Sequence, residues 1–115
     1  MNLTLSEEQD AIIEMAKKYA ESELAPVAAR LDVGANKEAD RTLFLKNLQG
    51  LAELGFMGMN VKAEYGGCEA GTVAFSLAIT EIARACASTA VTMSVTNMVG
   101  EVIQSIASEE QKDTY

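Results

Sequence analysis

The chain carries 115 residues, 49% of them apolar, with a formal net charge of −8 and a pI near 4.4. Length and apolar content fit one globular domain with a core of its own, while the acidic balance disfavours nucleic acid and anionic membrane surfaces as partners. The absence of histidine excludes Ser-His and Cys-His nucleophile pairs, an HExxH zinc helix and a Glu-x-x-His di-iron pair, so no metal site is expected.

No charged segment precedes an apolar run at the N-terminus, so no signal peptide is expected and the chain reads as cytoplasmic. Ser6-Glu7-Glu8-Gln9 is a capping box that opens a first helix. Ile12, Ala16, Tyr19, Ala20, Leu24, Val27 and Leu31 then recur at helical spacing and give one apolar stripe. Pro26 interrupts it, which predicts a kink or a new helix start. Residues 33–40 read as a polar connector. A second helix is expected from about Arg41, with Phe44, Leu45, Leu48, Leu51, Ala52 and Leu54 inward and Gly55 as its left-handed cap.

Residues 55–67 hold four glycines among apolar residues, a loop that makes sharp turns or lets backbones approach closely. It lacks the GxxxxGK[ST] spacing of a phosphate cradle. Thr72 is placed to cap a third helix with Phe75, Ala78, Ile79, Ile82 and Cys86 on one face. Ser88 is placed to cap a fourth, apolar on most sides and therefore expected to be the most enclosed element. Residues 85–107 hold one charged side chain, Glu101, but too many Ser, Thr, Asn and Gln residues for a membrane span. Ser108-Glu109-Glu110-Gln111 repeats the capping box just before Tyr115, as though a helix were to continue in a larger protein. With no alternating strand pattern, the fold class is all-α, a multi-helix up-and-down bundle.

Candidate chemistry is sparse. The spacing of Cys68 and Cys86 permits a disulfide, but two free thiols are the expected state in a reducing cytosol. Glu81 can pair with Arg84 one turn on, and Glu101 can face solvent on the wet edge of its helix. Thr92, Ser94 and Thr96 can bond back to carbonyls one turn earlier while Asn97 bonds to a loop. Alternatively some of them line a cavity with Met93, Val95 and Met98, since methionine adapts to flexible apolar ligands.

Six motifs in order resemble the N-terminal helical domain of the acyl-CoA dehydrogenase family. They are Leu5-Ser6-Glu7-Glu8-Gln9, Glu23-Leu24-Ala25-Pro26, the run from Leu54 to Gly67, Glu81 to Ser88, Met93 to Asn97, and Ser108 to Lys112. Lys62 departs from the family's frequent proline, Ala107 from its frequent glycine, and the spacing from Asn97 to Ser108 is one residue short of several relatives. The resemblance implies that residues 1–115 are one domain of a larger flavoenzyme, with the flavin-binding β domain and C-terminal helical domain outside the chain. That enzyme would dehydrogenate an acyl-CoA thioester between Cα and Cβ, with FAD as hydride acceptor and electron-transferring flavoprotein as oxidant of the flavin. It would be a homotetramer or homodimer.

On the same resemblance, no catalytic or cofactor-binding residue lies in this chain. Thr92, Met93, Ser94, Val95, Thr96, Asn97 and Met98 would help wall the acyl pocket, and the loop of residues 55–67 would be a structural connector. Flavin oxidases and nitroalkane-type relatives share this N-terminal architecture. A reading from another class is a stand-alone acidic helical binding or carrier-type module, although the Asp-Ser-Leu site of a phosphopantetheine carrier is absent.

Overall fold

The computed structural model describes residues 3–115; Met1 and Asn2, the first residues of the expected domain and of the segment searched for a signal peptide, lie outside the described residues. The chain is all-α, with no strand among the described residues. Helix α1 (Glu7–Tyr19) begins at the Ser6 capping box, where the Gln9 N–H donates to Ser6 Oγ and the Ser6 N–H to Gln9 Oε1. A new helix starts at the Ala25–Pro26 step, as expected. A π-helical segment, Ala20–Leu24, passes directly into α2 (Ala25–Val33), and the Ala25 N–H reaches back to the Ala20 carbonyl. One widened turn places the proline at the second position of α2, where a missing N–H costs little.

Helix α3 (Lys37–Glu53) starts four residues ahead of the expected Arg41, because Asn36 caps it by accepting from the Ala39 N–H. Asp40, almost buried, ties this start to α2 by taking Arg30 Nε at 3.0 Å and the Asn36 N–H at 3.0 Å. The inward side of α3 also differs from expectation. Leu51 is buried and Phe44, Leu48 and Leu54 half-buried, but Leu45 and Ala52 face solvent while Asn47 is buried. The cause lies across the interface: the Tyr19 hydroxyl donates to the Asn47 carbonyl and occupies the space that a Cβ on Gly50 would need. Burial foremost, then Glu23 and Glu53, hold the Tyr19 phenol above its ordinary pKa.

Helix α4 (Gly71–Ala85) and helix α5 (Ala87–Ile106) follow, then a short α6 (Glu109–Thr114) with the second capping box intact. Thr72 and Ser88 do not cap α4 and α5. The flanking residues are Ala70 and Cys86, neither of which bonds a backbone N–H through its side chain. Helix α1 packs along α4, and α4 along α5. Their shared seam is small: Ala16, Ala20, Ala74, Ala78 and Ala90 are buried with Leu24, Ile82 and Met93. Alanines on facing ridges let these helices approach closely.

The molecule measures 42 × 40 × 20 Å, about two helix diameters thick. Its radius of gyration of 15.2 Å exceeds the roughly 13 Å of a near-spherical chain of this length. It is a slab, and the slab leaves α5 half open. Val91, Val95, Met98, Val99, Val102 and Ile106 are 45 to 80% exposed, so α5 is not the most enclosed element. It carries a buried face and a second apolar face turned outward.

Candidate functional site

The glycine-rich loop and α5 together build a concave, largely apolar site. Gly55 leaves α3 with φ 82°, and two 3-10 turns, Phe56–Gly58 and Ala63–Tyr65, follow. The loop closes on itself through its backbone. Cys68 N–H donates to the Gly58 carbonyl, Glu69 N–H to Val61, and Ala70 N–H to Met59. Val61 is the clasp. A Cβ on Gly67 would overlap the Val61 carbonyl, and one on Gly100 would stand 2.7 Å from Val61 Cγ2.

Three side chains of α5, spaced four and three residues apart, hold this loop by its backbone and by Asn60. Asn97, 1% exposed, accepts from the Met59 N–H at 2.7 Å and donates to the Phe56 and Met93 carbonyls at 2.8 and 2.9 Å. Glu101 accepts from Asn60 Nδ2. Gln104 accepts from the Lys62 N–H and donates to the Asn60 carbonyl, both at 3.0 Å. Glu101 was expected on a wet edge and is instead half-buried against the loop. Glu81 pairs with Arg84 at 3.2 Å, as its spacing suggests.

Between loop and helix lies a cleft of about 400 Å³, within the size range of small-ligand sites. Met57, Val61 and Tyr65 form one wall, Thr96, Val99, Gly100 and Ile103 the other, and Lys112 and Tyr115 close one end. Lys112, the one cation of the lining, donates to Glu109 at 2.9 Å, and that bond holds its ammonium above the ordinary lysine pKa. No Asp or Glu side chain lines the cleft. Its apolar walls can hold an apolar group, with the Tyr65 and Tyr115 phenols and the Lys112 ammonium as its titratable side chains.

The sequence-predicted wall residues divide three ways. Met93 and Asn97 point into the core, Val95 and Met98 face outward, and Thr96 lines the cleft. Thr92 and Ser94 are half-buried between these faces. The Thr92 and Thr96 hydroxyls donate to the Ser88 and Thr92 carbonyls one turn earlier. Sequence reasoning missed Val61, Gly100, Ile103 and Lys112. Gly100 alone gave a signal, as an isolated glycine inside a helical pattern marks a close approach.

Both cysteines are free. Burial pushes the Cys86 thiol up, but hydrogen bonds with Ser88 and Thr89 outweigh it and leave the pKa below its ordinary value. Exposure and acidity therefore point to different residues, since Cys68 is exposed and Cys86 buried. Access decides the rate when the native state must open to admit the reagent. Titration with a thiol-specific reagent should give one fast equivalent, lost in Cys68→Ser, and a slow one that becomes fast in urea.

A family profile described as acyl-CoA dehydrogenase, N-terminal domain, matches residues 6–115. The chain belongs to this family. It is 30% identical over its full length to the short-chain specific acyl-CoA dehydrogenase of Clostridium acetobutylicum, and 34% to a probable acyl-CoA dehydrogenase of Bacillus subtilis. It is also 30% identical to the acryloyl-CoA reductase (NADH) of Anaerotignum propionicum. The chain spans 28 to 29% of the length of these relatives. A chain from structural work on the electron transferring flavoprotein of Acidaminococcus fermentans is 30% identical and superposes with a TM-score of 0.78. That match covers all of this chain and 29% of the other.

In this acyl-CoA dehydrogenase N-terminal domain neither hollow beside α5 favours a pyrophosphate. The cleft's one ammonium is already paired, and the glycine-rich approach to α4 is flanked by the carboxylates of Glu69 and Glu101, which repel a pyrophosphate. Among the described residues no group of three or more His, Cys, Asp or Glu could hold a metal ion, and no helix is long and apolar enough to cross a membrane.

Proposed function

We propose that this domain forms one wall of the acyl pocket in an FAD-dependent acyl-CoA dehydrogenase and has no activity by itself. The observation that carries the reading is the outer side of α5. Thr96 and Val99 open onto an apolar cleft without an Asp or Glu side chain, and Val95 and Met98 continue that surface outward. Such a surface shapes a binding site whose reacting groups come from elsewhere. FAD and the glutamate base would be supplied by other domains of the working enzyme, in which residues 1–115 are the first domain. Electron-transferring flavoprotein would be the oxidant, and the enzyme a cytoplasmic homo-oligomer. Dehydrogenation is favoured over reduction because both dehydrogenase relatives above carry that activity in their names.

A chimera tests the reading: residues 6–115 replace the matching segment of the Clostridium acetobutylicum short-chain enzyme. The chimera should bind flavin and oxidise butyryl-CoA, whereas the isolated domain should do neither. Ser94→Phe or Thr96→Phe in the chimera should shift kcat/KM toward shorter acyl chains by roughly tenfold, the effect of about 1.4 kcal/mol. An active chimera whose chain-length profile ignores both substitutions removes these residues from the pocket. Stoichiometric FAD and acyl-CoA oxidation in the isolated domain would overturn the assignment of the reacting groups.

A further inference from the structure

Within the glycine-rich loop, Val61 is tied down through its backbone on both sides. Its N–H donates to the Gly58 carbonyl at 3.3 Å and its carbonyl accepts from the Glu69 N–H at 3.1 Å. One side chain of α5 holds the neighbouring peptide groups: Gln104 donates to the Asn60 carbonyl and accepts from the Lys62 N–H, both at 3.0 Å. Behind it, the Val61 carbonyl lies against Gly67, where an added Cβ would overlap it. A backbone bonded at all of these groups resists sliding, and a β-branched side chain has few rotamers to escape into. The isopropyl group of Val61 is therefore fixed in place.

That place is over a notch in α5. Thr96, Gly100 and Ile103 fall on one stripe of the helix and line the cleft together. Gly100 is the one of the three without a side chain, and Val61 fills the gap. Its Cγ2 would stand 2.7 Å from a Cβ on Gly100, so no room for a methyl group is left between loop and helix there. The cleft of about 400 Å³ lies open beside this contact.

From this geometry we infer that Val61, seated on Gly100, sets how far an acyl chain reaches into the cleft, and is a specificity-determining stop for it. The inference rests on the pocket-wall reading proposed above and adds the loop to that wall. An acyl chain that passes the outward residue Val99 and then Thr96 meets the Val61 methyl groups, because they bridge loop and helix at that point. The stop is apolar, so it suits a chain that ends in a methyl group. A longer chain has to displace a side chain whose backbone is bonded in place. One methylene in a closely fitted pocket changes kcat/KM by roughly ten- to two-hundredfold, enough to make Val61 decide the preferred length.

The test follows acyl-chain preference in the chimera described above, with circular dichroism confirming that each variant keeps its helices. Val61→Ala should raise kcat/KM for hexanoyl-CoA relative to butyryl-CoA at least about tenfold, since two methyl groups leave the stop. Adding Gly100→Ala to Val61→Ala should reverse most of that gain, because the new methyl group refills the same gap from the helix side. A general loosening of the loop gives no such reversal, so a gain that survives Gly100→Ala overturns the stop. Thr96→Phe separates this proposal from the reading beneath it. A profile that responds to Thr96→Phe but not to Val61→Ala overturns the stop and leaves the wall; a profile that ignores both overturns both. The 115-residue chain supplies a second measurement that needs no flavin. Methyl resonances of Val99 and Ile103 should shift on titration with 1-butanol and 1-hexanol. The hexanol-to-butanol affinity ratio should rise in Val61→Ala and fall back in the double variant. A ratio that is the same in all three proteins overturns the proposal.

Discussion

Replacing Asn97 with alanine should destabilise the domain by roughly 3–5 kcal/mol. The side chain is buried in the core-facing side of α5 and makes three hydrogen bonds, two of them to the Phe56–Met59 turn. Truncation leaves the Met59 N–H and the Phe56 carbonyl without their partner. Each buried polar group left unmade costs about 1–3 kcal/mol, and the emptied volume adds a cavity term. Total stability for a domain of this size is about 5–15 kcal/mol, so the loss is a large share. Urea unfolding should show a lower midpoint with an unchanged slope. Asn97→Asp keeps the acceptor for Met59 but turns a carboxylate toward the Phe56 carbonyl, and should recover little. A stability within about 0.5 kcal/mol of wild type for alanine, the range of an ordinary surface substitution, would mean that water replaces the amide and that the turn is held by other contacts.

The same residue marks what could and could not be read from the sequence. That Asn97 bonds to a loop follows from its place in an apolar helix, since a buried amide must find partners. Which loop, and that Glu101 and Gln104 join it, depends on residues far away along the chain, beyond any local pattern. Local chemistry was legible where its partners are local. The Ser6 and Ser108 capping boxes and the left-handed Gly55 are all present.

Legibility failed where two local signals competed. Asn36 outranked the polar look of residues 33–40, and Cys86 rather than Ser88 stands at the start of α5. Pro26 signalled a new helix start correctly, since α2 begins at Ala25 with the proline in its first turn, but nothing local showed the π turn that leads into it. The enclosure of α5 was misread for a physical reason. Periodicity shows how many faces of a helix are apolar, not how many neighbours cover them. The cleft suffered likewise. Thr96 belongs to it, but the opposite wall comes from a loop whose path is set by glycine contacts rather than by side-chain pattern.

Those contacts support a second large effect, and they separate backbone from side-chain crowding. Gly67→Ala should cost about 3 kcal/mol, the upper part of the usual range for overpacking. Its Cβ would meet the Val61 carbonyl and stand 2.6 Å from Val61 Cβ, atoms that no rotamer change can move. Gly100→Ala meets only the tip of Val61, with Cγ2 at 2.7 Å. It also gains up to about 1 kcal/mol from replacing glycine inside a helix, so its net cost should be small. Val61→Ala decides between the two kinds of contact. It removes Cγ2 and leaves the carbonyl and Cβ in place, so in that background Gly100→Ala should become stabilising while Gly67→Ala stays as harmful as before. Equal relief of both by Val61→Ala, measured as the shift in urea midpoint, would show that the loop moves as a body to admit a methyl group. In that case the narrowness of the cleft would come from the Asn97, Glu101 and Gln104 bonds rather than from the glycine clasp.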